Sequence, residues 1–195
     1  MMKHATKPVL ARSLIAATVL LASACAHEQA VQRAPEIFPV LPPSTLGAER
    51  SAQQVLSVSY RDQEATLSVV LNVTQTHLQA IGLNAVGVRL FTIDYDGAQL
   101  KTEKLPGLPA QIDAQRMLAD LQLALWPLTA LQAATNNTTY SIGEPVAGTR
   151  RVKRSGKLYE EVHYSGADPW SGKLWLSNYE FGYSIAVESA PLDPK

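Results

Sequence analysis

The chain has 195 residues, 46% of them apolar, with 17 basic and 17 acidic side chains in formal balance. That composition suits one globular domain with a full core and excludes a disordered or collagenous chain. Lys3, Lys7 and Arg12 are the only charged side chains before Cys25, so the remainder carries 14 basic against 17 acidic ones. Such a weak negative balance gives no general reason to bind nucleic acid.

Residues 1–24 read as an export signal. A basic start precedes the apolar run Leu14–Leu21, which is too short to span a bilayer, and the small residues Ala22, Ser23 and Ala24 follow. Those three residues also satisfy the ordinary cleavage rule, which would leave Cys25, the only cysteine, as an exposed thiol in an oxidising compartment. Leu21-Ala22-Ser23-Ala24-Cys25 resembles the bacterial lipoprotein box, with Ala22 where such boxes prefer Leu. The resemblance implies that Cys25 is lipidated and its new amino terminus acylated, with palmitate-like chains; two or more chains anchor a protein stably. Ala26, in place of a retaining Asp, implies the outer membrane, with the protein facing the periplasm.

Residues 25–46, with Pro35, Pro39, Pro42 and Pro43 and no sustained periodicity, read as the lipidated residue and an extended linker, and 47–195 as the folded domain. At about 3.3 Å per residue the linker reaches on the order of 60 Å.

From residue 52 the pattern has period two. Leu56, Val58 and Tyr60 alternate with serines, and Leu67, Val69, Leu71 and Val73 alternate with polar residues. Two further strands are expected near 76–83 and 87–95, followed by a tight turn at Asp96-Gly97. Connections this short make the sheet antiparallel. Asp113 then caps a helix over 113–126. Met117, Leu118, Leu121, Ala124 and Leu125 form one apolar face while Leu123 and Trp126 lie off it, so the helix needs a second surface or a ligand to cover it. Pro127 ends this helix or restarts it, with Leu128 and Leu131 following. Strands return around 147–154, 157–164, 173–178 and 181–188, the last with Phe181, Tyr183, Ile185 and Val187 on one face. The expected fold is mainly β with helices (α+β): a curved antiparallel sheet or open β-barrel of eight or nine strands with a helical lid on its concave side.

Outside the signal and linker only His77 and His163 remain, and both read as ordinary strand histidines. No metal-ligand spacing, phosphate loop or nucleophile elbow occurs, so no metal, no cofactor and no enzymatic activity are expected. Asp94 and Asp96, or Glu160 and Glu161, read as solvated faces or turn residues rather than an acid–base pair. Arg150, Arg151, Lys153 and Arg154 form either a solvated hairpin end or a docking surface for an acidic partner or anionic head groups.

Taken together, the lipoprotein box, the linker, the antiparallel strands and the helical stretch Leu118-Ala119-Asp120-Leu121-Gln122-Leu123-Ala124-Leu125-Trp126-Pro127 resemble the LolB-like outer-membrane lipoproteins. The resemblance is closest to a LolB-related group, some of whose members accompany aryl-polyene synthesis genes. It implies a monomeric LolA/LolB-like open barrel with an apolar cavity for an acylated or lipoprotein cargo, delivered by a LolA-like periplasmic carrier. It also implies lid or cavity roles for Leu118, Leu121, Leu125 and Trp126, and barrel-wall roles for Leu67, Val69, Leu71 and Tyr183; the same side chains would equally make an ordinary core. Asn84, Val86 and Gly87 occupy the place of the family's membrane-insertion loop, where Val86 either projects or folds back on a strand. The expected function is therefore binding and transfer of a lipidic or acylated cargo. The alternative is a non-transporting structural or interaction lipoprotein of an envelope complex.

Overall fold

The chain runs as two antiparallel meanders that meet along one seam. A computed structural model describes residues 37–105 and 113–192. The first meander comprises β1 (Arg50–Tyr60), β2 (Gln63–Val73), β3 (Leu78–Leu83), β4 (Arg89–Tyr95) and β5 (Leu100–Lys104). Two helices follow, α1 (Ala114–Leu125) and α2 (Leu128–Ala134). The second meander comprises β6 (Tyr140–Val146), β7 (Thr149–Arg154), β8 (Lys157–Tyr164), β9 (Gly172–Asn178) and β10 (Tyr183–Pro191). Because β1 pairs with β10, all ten strands form one sheet in the order β5-β4-β3-β2-β1-β10-β9-β8-β7-β6. The chain leaves one edge at β5 and returns at the opposite edge at β6, through α1 and α2.

The period-two pattern sets which face is inward. Leu56 pairs with Leu67 and Val187, and Gln54 pairs with Val69 and Ser189, so the inward sets of β1, β2 and β10 are in register at the seam. Leu78, Ala80, Phe91, Ile93, Leu174 and Leu176 extend that buried face into the neighbouring strands. Gly82 is required for this packing, because a Cβ there would lie 2.2 Å from the Phe91 ring that crosses it. Two of the ten strands had no expected range. β5 is an edge strand with exposed side chains and no alternation to read, and β6 carries Gly143, Pro145 and a register shift, which an edge tolerates.

Asp113 caps α1 as expected, accepting from the Gln115 N–H at 3.0 Å. Pro127 both ends α1 and opens α2: its carbonyl accepts from Leu131 N. The second surface that α1 needs is supplied by residues 37–46, which corrects their assignment to the linker. Phe38, Leu41 and Leu46 are buried in the core. Gln122, fully buried, pairs with Leu41 as a strand would, its Oε1 accepting from Leu41 N and its Nε2 donating to Leu41 O, each at 2.7 Å. Trp126 donates from Nε1 to Thr45 Oγ1 at 2.9 Å. The folded unit accordingly begins upstream of residue 47; the export signal, Cys25 and the linker up to residue 36 lie outside the described residues.

Candidate functional site

The other side of α1 roofs an apolar cavity of about 100 Å³ on the concave face of the sheet. Met117, Leu121, Ala124 and Leu125 form the roof, and Val69, Ala80, Leu176 and Val187 are among the side chains beneath. Only two lining residues, Gln54 and Asp120, are polar. Gln54 is held to the sheet by donating to Ser189 Oγ at 2.9 Å.

Asp120 belongs to a buried polar cluster that spans three strands. Glu160 on β8 pairs with Asn178 on β9, which pairs in turn with Tyr183 on β10. These three neighbours face Asp120 of α1: the Tyr183 hydroxyl donates to Asp120 Oδ2, and Asn178 Nδ2 donates to Glu160 Oε2 at 2.9 Å. Glu160 is fully buried, and its Oε1 is left without a hydrogen-bond partner. Burial raises the Asp120 carboxyl to about 7, against the hydrogen bond from Tyr183, the neighbouring Glu160 and the nearby Arg116 charge. Glu160 is pushed well above the usual carboxylate range, first by burial and then by the Asp120 charge. Burial also raises the Tyr183 hydroxyl. The Arg116 guanidinium lies 3.5 Å from the centroid of the Phe181 ring.

Reading Glu160 as a solvated carboxylate is thus corrected: it stands on the same face of β8 as Val162 and Tyr164, and α1 covers that face. Val152 pairs with Glu160 but Lys153 pairs with Leu158, so Tyr159 is an extra residue on β8. The bulge turns Tyr159 inward beside Glu160 and leaves Leu158 exposed. Strict alternation from the sequence places Leu158 inward instead. Asp120 did carry a sequence signal, since Met117, Asp120, Leu121 and Ala124 stand at i, i+3, i+4 and i+7, the spacing of one helix face.

Among the residues expected to contact cargo, Leu121, Leu125 and Val69 line the cavity. Leu118, Leu71 and Trp126 do not; all three are sealed in the core, and Trp126 is 1% exposed on the side of α1 that faces residues 37–46. Leu67 is half-buried against the core without lining the cavity, and Tyr183 contributes through its bond to Asp120. Val86 projects, at 82% exposure, from a loop held by Asn84, whose Oδ1 accepts from Val86 N and Val88 N at 3.1 and 2.9 Å. Gly87 has φ +80°, the left-handed conformation that closes the turn.

The basic cluster is not a shared docking patch. Arg150 is 5% exposed, and its guanidinium donates to the Leu123 and Trp126 carbonyls at 2.6 and 2.9 Å and to Glu144 at 3.0 Å, satisfying the C-terminal end of α1. Arg151 is paired with Glu161, whose carboxyl is lowered first by that bond, and Arg154 with Glu180. Lys153 is exposed. His163, half-exposed on β8, bonds Glu161 at 2.6 Å and Thr149 at 3.2 Å, and His77, half-exposed just before β3, lies 3.6 Å from Asp94.

The fold and site define an α+β protein, an open and strongly curved ten-stranded antiparallel sheet closed by a helix over a small apolar cavity. The chain belongs to the family described as "Protein of unknown function (DUF3261)", whose model matches residues 51–191. No curated protein matches it. Among solved structures it is similar to a LolA superfamily protein from Nitrosomonas europaea, at 10% identity and a TM-score of 0.43, over 82% of this chain and 89% of the other. It is also similar to a DUF1329 family protein from Desulfovibrio piger, at 8% identity and a TM-score of 0.39, over 76% of this chain and 87% of the other. At those identities and scores neither likeness bears on what this chain binds.

Proposed function

We propose that this protein binds an acylated or lipidic cargo under α1 and passes it on, tethered to the outer membrane on the periplasmic side through an acylated Cys25. The observation that carries the reading is the hydrocarbon-lined cavity beneath a helix that is apolar on both sides. Cargo entry is a physical transfer without bond making, favoured by about 0.8 kcal/mol for each buried methylene. The cavity of about 100 Å³ is smaller than the roughly 150 Å³ that accepts a benzene-sized molecule, so an acyl chain enters only if α1 moves. Val86, on its exposed tip, is the residue we assign to contact with the membrane. In this LolB-like role the cargo is a lipoprotein or an aryl-polyene-type lipid, received from a LolA-like carrier.

A second reading, a structural lipoprotein of an envelope complex, is favoured by the same small volume, since the concave face is largely filled by side chains. Native mass spectrometry of residues 26–195 purified from a bacterial envelope fraction separates the two. A stoichiometric extra mass that extracts into organic solvent supports cargo binding and identifies its class. A bare protein that also refuses added fatty acids supports the structural reading.

A further inference from the structure

The two halves of α1 are fastened differently. The C-terminal half is held by neutral amide and carbonyl bonds and by one cation: Gln122 to Leu41, Arg150 to Leu123 and Trp126, and the Tyr164 hydroxyl to Ala124 O at 2.8 Å. The polar attachment of the N-terminal half to the strands is the Asp120 cluster, where two carboxyl groups meet in a site closed to water. Glu160 Oε1 is buried and finds no donor, whereas Oε2 accepts from Asn178. An oxygen in that position is satisfied when it carries a proton and donates it to Asp120.

Among the described residues, the charged and titratable groups facing the pair are few. Arg116 on α1 is drawn onto the Phe181 ring and leaves its Nε buried without a partner. Tyr159 on β8 packs edge-on between Tyr140 of β6 and Phe181, and Tyr183 on β10 donates to Asp120. Asn178 on β9 is neutral, as is Gln54 on β1, which lines the cavity beside Asp120. One guanidinium, directed to an aromatic face, stands against two carboxyl groups.

We propose that the Asp120–Glu160 pair is a proton-operated latch for the N-terminal half of α1: closing the helix over the cavity takes up protons from water, and opening it returns them. Release of this half uncovers the cavity while Gln122, Arg150 and Tyr164 keep the other half as the pivot. The inference rests on the cargo-binding reading only for its purpose, and the latch itself is a property of the empty protein. In the open helix both carboxyl groups ionise as ordinary exposed acids, whereas closed they hold their protons to higher pH. Rising pH therefore favours opening, by up to about tenfold per pH unit for each proton released.

Hydrogen exchange read by mass spectrometry tests this on the full mature chain between about pH 5 and about pH 7, after correction for intrinsic chemical exchange. Protection of amides 117–121 is expected to fall by up to about tenfold per unit, or more if both protons leave together, while amides 126 and 131, which donate to the Gln122 and Pro127 carbonyls, hold theirs as an internal control. Asp120→Asn, which keeps the shape and leaves Glu160 as the one carboxyl with a proton to lose, is expected to lower the slope of 117–121 below that of the native chain. A flat response in the native chain, or the same slope in Asp120→Asn, overturns the latch. Should Asp120→Asn fail to fold, infrared spectroscopy of the native chain decides: a buried protonated carboxyl band at about pH 6 that fades as pH rises supports it, and its absence overturns it. A fluorescent fatty acid added in parallel separates the two readings. If the helix responds to pH but the probe never binds, the latch stands and cargo transfer fails. If the probe binds while the helix ignores pH, the latch fails and cargo transfer stands.

Discussion

Replacing Gln122 with Ala tests whether residues 37–46 belong to the folded unit. Gln122 is fully buried, and its amide makes two reciprocal bonds of 2.7 Å to the Leu41 backbone. Truncation removes both bonds and leaves the Leu41 N–H and C=O unpaired beside α1. A buried group left unsatisfied costs about 1–3 kcal/mol, and two such groups with partial relaxation toward water give an expected loss of about 2–4 kcal/mol. Urea denaturation of residues 26–195, followed by tryptophan fluorescence, reads the loss as a lower midpoint at unchanged slope. A chain shortened to begin at residue 43 supplies the second arm of a double-mutant cycle, because Leu41 is then absent and Gln122→Ala has little left to remove. The reasoning is refuted if Gln122→Ala lowers stability by less than about 0.5 kcal/mol in the longer chain, or by the same amount in both chains.

Three other perturbations probe the remaining structure. Gly82→Ala places a Cβ 2.2 Å from the Phe91 ring, so the ring must shift within a packed face; the expected loss is about 1–3 kcal/mol by thermal or urea denaturation, and a neutral result would mean that Phe91 does not cross Gly82. Arg150→Met strips the Leu123 and Trp126 carbonyls of their buried charged donor and is expected to cost about 2–3 kcal/mol, whereas Lys153→Ala, a neighbour of Arg150 in sequence but exposed, stays within about 0.5 kcal/mol. Equal effects of those two substitutions would contradict the division of the basic cluster into a buried brace and an exposed lysine. Val86→Ser should leave stability within about 0.5 kcal/mol, since the side chain is exposed, and reduce sedimentation of the unlipidated chain with anionic vesicles; undiminished sedimentation would remove Val86 from the membrane contact.

Much of the architecture was legible locally because it depends on local physics. The alternation of Leu67, Val69, Leu71 and Val73, the Asp113 cap and the Pro127 break are each decided by a few neighbouring residues, and the structure places the strands, the cap and the break where the pattern puts them. The edge strands β5 and β6 escaped because an edge buries too little to impose a pattern. Residues 37–46 were unreadable for a different reason: their prolines suppress periodicity, and what orders them is the far-off Gln122 and Trp126, 81 residues away for Leu41 and Thr45 respectively.

The sequence by itself determined an antiparallel α+β protein with a helix apolar on two sides, since period and capping are properties of short segments. Only the tertiary structure decided what covers each side: residues 37–46 on one, the small cavity and the Asp120–Glu160 pair on the other. The bulge that turns Tyr159 inward and Leu158 outward is set by pairing between strands, and the burial that raises the Glu160 carboxyl comes from four elements closing around it. Neither is written in the residues adjacent to Glu160, because pairing register and desolvation belong to the assembled sheet.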